Sequence, residues 1–456
     1  MSLDDKWQPA RLIPVSGLNA ADEQERRGAS ALLAVMQVVT EYGRAITRRF
    51  GVPAGNINTF IEVPFELNGK TYRPDGLIRV SRGSKSWVAL VEVKTRRNKL
   101  DEGQIKAYLD IARQEGFDAV VTISNQMSTI ARTSPIAIDK RVTRKVALHH
   151  VSWSRLHTEA LIEKRNQSVK DPEQAWILAE FIRYLEYPKS GAVDFDDMGP
   201  SWVTVRDAAV DSTLRPNDPK THDVVDHFSQ LIRYAAMNLS GTLGVDVLQV
   251  ITKQARNDPA ALIQLMSEEL ATTGRMSGAI SVPDAVSPIE ILADLRARRI
   301  ACSVTIDAPR DSRPMTRVSW LLRQLKASPS ELLVCANGPR SRDVGPTLRL
   351  DKVLENPKSL LPNLKFEVRS FVLTLTALAG TKSGQGTSSF AGSVTSLVNR
   401  FYEEVVQNLK KWTPPAPKVA PIDDGQNDAV DSDEPDSLAQ KDNAERYIEE
   451  SPSSST

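Results

Sequence analysis

The sequence contains little of several residue types that would point to particular classes of protein. Its two cysteines, Cys302 and Cys335, fit neither a disulfide framework nor a cysteine metal site. No run approaches the ~18 uncharged apolar residues expected of a membrane-spanning helix, and the first residues lack the basic start and apolar centre of a signal peptide. No P-loop or dinucleotide-binding fingerprint is present. These absences predict a cytoplasmic protein with no membrane partner, and they argue against an ATP-driven motor.

Charge is almost balanced over the whole chain but is unevenly distributed along it. The formal net charge is +1. Residues 414–456 contain eleven acidic and three basic residues, which leaves 55 basic and 46 acidic residues in the rest of the chain. The body of the protein therefore carries an excess of positive charge, which is compatible with a polyanionic partner. The acidic tail could compete for the same surface or simply keep the protein soluble.

Length and composition predict a globular protein with more than one domain. The chain has 456 residues, of which 41% are hydrophobic and 25% charged, as is ordinary for globular proteins. Changes in pattern along the chain divide it into five parts. These are an irregular lead-in at 1–20, an α/β domain at 21–152, a mainly helical region at 153–275, an α+β domain at 276–412 and a disordered acidic tail at 413–456.

Hydrophobic periodicity predicts individual elements within these parts. Apolar residues recur at helical spacing over 21–50, 100–114 and 288–299, which predicts three helices. An alternating run at 59–65 predicts a strand with one buried face. A continuous apolar run at 117–123 predicts a strand buried on both faces in a parallel sheet.

The most informative stretch is a pair of predicted strands that carry acidic residues. Asp75 follows Pro74 at the start of a short apolar run, and a turn-forming segment at 82–85 leads into a second run that carries Glu92 and Lys94. Side chains two residues apart on a strand project to the same face, so Glu92 and Lys94 lie together. A hairpin would bring Asp75 beside Glu92. Two adjacent carboxylates repel each other unless a cation sits between them, and Mg²⁺ accepts such a pair together with waters and phosphate oxygens.

At these residues the chain resembles the PD-(D/E)XK nuclease superfamily. Pro74-Asp75 matches its first motif and Glu92-Val93-Lys94 its second, and Gln104 and Tyr108 resemble the QxxxY helix of some branches. The resemblance implies a restriction-endonuclease-like α-β-β-β-α-β core over about a third of the chain. It also implies that Asp75 and Glu92 bind Mg²⁺, which Mn²⁺ can replace. Lys94 would assist the attacking water, while Gln104 and Tyr108 would orient substrate or the metal site.

Further residues are weaker candidates for the same site. Members of the superfamily often take another acidic residue from the first helix, for which Glu25 is favoured here over Glu41, with Glu62 as an alternative on the strand. Three basic residues near the motifs are candidate phosphate contacts, namely Arg73, Lys99 and Lys106. Each of these charges would also be ordinary on a solvated surface.

The resemblance predicts an enzyme that hydrolyses phosphodiester bonds of nucleic acid, expected to be DNA, in defence against foreign DNA or in DNA repair. The alternative is a nuclease-like module without catalysis that binds nucleic acid or a protein partner. The presence of Asp75, Glu92 and Lys94 together favours catalysis. The region 201–410 would supply target recognition, a partner surface or regulation, and the region 153–412 is the expected surface for a homodimer contact or a protein partner.

Overall fold

The computed structural model describes residues 13, 21–96, 98–127, 135–136, 138–139, 141–192, 195, 197–310, 312–340, 342–363, 365–384, 386 and 388–413. The lead-in predicted at 1–20 and the acidic tail predicted at 413–456 fall almost entirely outside these residues. The described part of the chain has a mixed α/β fold with several sheets. None of its helices is long and apolar enough to cross a membrane.

The first part of the chain alternates between helices and short strands. Its elements are α1 (Ala21–Val38), α2 (Thr40–Arg49), β1 (Asn56–Ile61), β2 (Phe65–Leu67), β3 (Lys70–Tyr72), β4 (Gly76–Arg82), β5 (Lys85–Val93), α3 (Glu102–Gln114), β6 (Ala119–Ser124), β7 (Ala147–Ser152), α4 (Trp153–Arg165) and α5 (Pro172–Leu185).

Five of these strands form one sheet in the order β1-β4-β5-β6-β7. The strands β1, β4 and β5 are antiparallel neighbours, whereas β5, β6 and β7 run parallel. Helix α3 packs on one face of the sheet, and α1, α2, α4 and α5 pack on the other. Every residue of β6 is buried, because helices cover both faces, and this agrees with its mainly apolar sequence, in which Thr122 and Ser124 are the polar residues. The parallel strand predicted at 117–123 is therefore confirmed.

Two differences from the predicted elements lie before the hairpin. The helical pattern at 21–50 corresponds to two helices that break at Val39. The strand predicted at 59–65 is β1, which begins and ends earlier and is followed by Glu62 in a left-handed conformation with φ of 50°. The last residue of β1, Ile61, pairs with Gly76, the first residue of β4, and the turn at Glu62 then directs the chain away from the sheet.

The rest of the chain builds a second sheet. The elements are α6 (Trp202–Val210), α7 (Pro219–Leu243), β8 (Leu248–Gln249), α8 (Lys253–Asn257), α9 (Pro259–Thr273), β9 (Arg275–Ser281), β10 (Ile289–Asp294), β11 (Arg299–Asp307), α10 (Pro314–Gln324), β12 (Leu333–Asn337), β13 (Leu348–Arg349), α11 (Leu350–Glu355), β14 (Ser370–Leu378) and α12 (Phe390–Glu404).

These strands form a sheet in the order β13-β12-β14-β11-β10-β9-β8, whose neighbours are all antiparallel. Helices α7, α10 and α12 share a hydrophobic core with it. The prediction of a helix at 288–299 is wrong. That segment contains β10, in which Ile289, Ile291 and Ala293 alternate into the core, and β10 pairs with β9 and β11 on its two sides. Pairing on both edges satisfies the backbone of this apolar segment, which helical spacing alone did not reveal.

Candidate functional site

The hairpin of β4 and β5 brings two acidic residues together, as predicted. In the register of this pair Gly76 lies opposite Val91, so Asp75 at the start of β4 comes beside the end of β5. The Asp75 carboxylate accepts a hydrogen bond from the backbone N–H of Val93, with an N–O distance of 2.7 Å. Glu92 lies next to this bond, and its side chain is only 2% exposed. The two carboxylates are close enough for each to shift the protonation of its neighbour.

Lys94 lies between two carboxylates that come from distant parts of the chain. Its ammonium group is 2.7 Å from Oε1 of Glu92 and 3.4 Å from Oε2 of Glu25. Glu25 is on α1, near its N-terminal end, and is almost completely buried. Of the three acidic residues considered for the first-helix position, the structure therefore places Glu25 beside Lys94. Glu62 instead forms an exposed ion pair with Arg26.

Burial and mutual repulsion alter the acidity of this cluster. Burial raises the pKa of Glu92 to about 7, and the negative charge of Asp75 adds to this, while Lys94 opposes it. Burial also raises the pKa of Asp75, against the Val93 N–H and Lys94, which lower it. Burial by itself would lower the pKa of Lys94. The negative charges of Glu92, Glu25 and Asp75 have the larger effect, so the pKa of Lys94 is raised. Near neutral pH, Glu92 is thus close to half-protonated while Lys94 is charged.

Gln104 and Tyr108 reach the same cluster from α3. Asp101 caps this helix by accepting a hydrogen bond from the N–H of Gln104. The Gln104 amide donates to the Tyr108 hydroxyl at 2.9 Å, and that hydroxyl interacts with Glu92. Burial and the charge of Glu92 raise the pKa of Tyr108, so its hydroxyl stays protonated. It is then able to donate to the Glu92 carboxylate and so to orient it.

Several supporting residues were not identified from the sequence. Asn98 donates to Oε1 of Glu25 at 2.7 Å, and the buried Trp153 indole donates to the backbone carbonyl of Lys94 at 2.9 Å. The N–H of Arg96 donates to the carbonyl of Gly191, whose φ is 82°. Asn98 lies four residues after Lys94 and could have been suspected from its position. Trp153 and Gly191 are distant in sequence, so no local motif points to them.

The three basic candidates do not join the cluster. Arg73 and Lys99 are exposed. Lys106 forms an ion pair with Glu102 at 2.6 Å, one turn earlier on α3, and its side chain is half-exposed. Such a pair is an ordinary feature of a solvated helix surface. A phosphate contact by Lys106 would have to replace this pair.

The donor atoms of the site suit a hard divalent cation. Asp75 and Glu92 supply carboxylate oxygens, and burial raises the pKa of both, with the charge of Asp75 adding to the rise at Glu92; a bound cation would offset this cost of ionisation. A two-carboxylate site with remaining positions taken by water or phosphate is characteristic of Mg²⁺. Within the described part of the chain, however, no group of three or more His, Cys, Asp or Glu side chains is arranged to hold a metal ion. The site therefore fits Mg²⁺ only as a two-carboxylate site.

Comparisons with known proteins do not suggest a function for this chain, so the geometry of the site is the basis for assigning one. No family model, no curated protein and no solved structure matches the chain.

Proposed function

We propose that this protein is a Mg²⁺-dependent nuclease of the PD-(D/E)XK type, acting on DNA. The observation that carries the proposal is the convergence of Asp75, Glu92, Lys94 and Glu25 at one point of the first sheet. These residues come from β5 and its end, the start of β4, and α1. The proposal is further supported by the chain order, in which α1, β1, β4, β5, α3 and β6 resemble the α-β-β-β-α-β core of a restriction-endonuclease-like fold, with α2 and the short strands β2 and β3 as additional elements.

Each residue has a role that follows from its contacts. Asp75 and Glu92 would hold Mg²⁺, or Mn²⁺ in its place, and the ion would polarise the scissile phosphate and acidify a water molecule. The charged Lys94 ammonium offsets negative charge that develops on the phosphate in the transition state. Glu25 holds that ammonium in position, and Tyr108 holds the Glu92 carboxylate. The positions of these groups are set before substrate arrives, which avoids reorganisation during the reaction.

A second function is favoured by two specific observations. Lys94 already compensates the charge of Glu92 at 2.7 Å, and no three-residue metal cluster occurs among the described residues. Both facts are compatible with a nuclease-like module that binds nucleic acid without cutting it. On that alternative, Asp75 and Glu92 belong to a buried ion cluster that holds the start of β4 against the end of β5.

A cleavage experiment separates the two functions. Supercoiled plasmid, linear duplex, single-stranded DNA and RNA are incubated with the full-length chain and Mg²⁺, Mn²⁺ or EDTA. The Asp75→Asn variant is compared with Asp110→Asn, which removes an exposed carboxylate on α3. Metal-dependent cutting that Asp75→Asn abolishes and Asp110→Asn preserves supports the nuclease. Nucleic-acid binding without any cutting, equal in wild type and Asp75→Asn, supports the binding module.

A further inference from the structure

A cleft opens beside Asp75. It has a volume of about 530 Å³ and lies between the outward face of α1 and the segment that follows β1. Asp75 is one of its lining residues, so a molecule in the cleft would extend directly to the proposed metal site. The rest of its wall includes Arg26, Ser30, Ala31, Ala34, Ile61 and Glu62.

The charged part of the wall consists of two ion pairs, Arg26–Glu62 and Arg27–Glu23, together with Asp75. The Arg26 guanidinium is 3.5 Å from the Glu62 carboxylate, and the two side chains are 72% and 53% exposed. An ion pair that is this long and this exposed contributes little free energy, so a phosphate could replace Glu62. A phosphodiester offers a guanidinium two oxygens in a geometry that allows paired hydrogen bonds. Exchange of Glu62 for a phosphate therefore has a low cost.

Apart from Ser30, the uncharged part of the wall is apolar and accessible. Ala31 and Ala34 present methyl groups from α1, and Ile61 at the end of β1 is 53% exposed. This combination suits a sugar or base beside a phosphate. In a duplex the faces of the bases are stacked inside, whereas an unpaired nucleotide has a face free to lie on apolar side chains.

We propose that this cleft binds an unpaired nucleotide of the substrate strand next to the phosphate that is cut, and that Arg26 is the phosphate contact, with Glu62 as its partner in the free protein. This proposal rests on the proposed nuclease function. It specifies the substrate class as nucleic acid with a single-stranded segment beside the cleavage position. It also predicts that substitutions at Arg26 and at Glu62, which form one ion pair, have opposite effects on nucleic-acid binding.

The test measures binding of a labelled single-stranded DNA oligonucleotide and of a blunt hairpin duplex to the full-length chain in EDTA. Arg26→Gln is expected to weaken single-strand binding roughly tenfold. It should also reduce the salt slope by about 0.7, the value for one lost single-strand phosphate contact. Glu62→Gln frees Arg26 and is expected to strengthen binding. In the double variant the gain from Glu62→Gln disappears, because the arginine it released is absent.

Matched controls separate these effects from general changes of charge. Arg349→Gln removes an exposed arginine from its pair with Asp351, and Glu355→Gln removes an exposed acid from its pair with Lys352, both in the second-sheet region. Each should leave binding within about twofold of wild type. Equal binding of single strand and duplex, or equal effects of the cleft variants and the controls, would overturn the proposal. Binding that depends on Arg26 without metal-dependent cleavage would leave the cleft site standing and contradict the nuclease.

Discussion

Replacement of Glu92 by Gln should remove a pH-dependent cost that the site imposes on the folded protein. Gln keeps the shape of Glu and can still accept a hydrogen bond from Tyr108, but it cannot ionise. Lys94 loses its partner at 2.7 Å and keeps Glu25. The substitution therefore has two effects on the free energy of unfolding. The changed contacts shift it by an amount that does not depend on pH, and the loss of the Glu92 titration adds a part that does.

The size and sign of the pH-dependent part follow from the pKa of Glu92, which is about 7 in the folded protein against an ordinary value of 4.5. Below pH 4.5 both folded and unfolded chains hold the proton, and the site imposes no electrostatic cost. As the pH rises above 4.5, the unfolded chain releases its Glu92 proton first, so the contribution of Glu92 to the free energy of unfolding falls until pH exceeds 7. At ~1.36 kcal/mol per pH unit, this loss amounts to about 3 kcal/mol.

The assay is urea denaturation of the wild type and Glu92→Gln in EDTA, at pH values from about 4.5 to 8, chosen to span this titration. The difference in unfolding free energy, variant minus wild type, should rise by about 3 kcal/mol across the range. Glu102→Gln on α3, whose carboxylate is half-exposed, is the matched control and should show a constant difference. A constant difference for Glu92→Gln as well would refute the argument that burial and Asp75 destabilise the ionised carboxylate.

Other predictions follow from the supports of the same site. Mg²⁺ at 100 times its dissociation constant should stabilise the wild type at pH 8 by about 2.7 kcal/mol, and Asp75→Asn should lose this gain in thermal denaturation. Asn98→Ala, which leaves Glu25 without its 2.7 Å donor, should slow cleavage roughly tenfold with little change in KM. Trp153→Phe removes the donor to the Lys94 carbonyl and should lower the unfolding free energy by about 1 kcal/mol. Burial lowers the pKa of His150 to about 4, so the contribution of His150 to stability should fall as pH drops from about 6.5 to 4, and the difference in unfolding free energy, His150→Gln minus wild type, should rise over that range.

The sequence by itself determined the hairpin and the identity of its acidic residues. A turn-forming segment at 82–85 separates two apolar runs, and strand alternation then requires Glu92 and Lys94 to share a face. The pairing of Gly76 with Val91 agrees with this expectation. The helix at 100–114 was equally predictable, because apolar residues recur along it and Asp101 is a favourable cap. Information of this kind is local, since it depends on a few neighbouring residues and the geometry of one element.

Only the tertiary structure decided which distant side chains complete the site. Glu25, Glu41 and Glu62 were all acceptable from the sequence, and the choice depended on how α1 is rotated against the sheet. The contact of Trp153 with Lys94 joins residues 59 positions apart. The segment at 288–299 became a strand because β9 and β11 pair with both of its edges. In each case the deciding interaction lies between elements, and a pattern read along one element contains no information about the partner that it will meet.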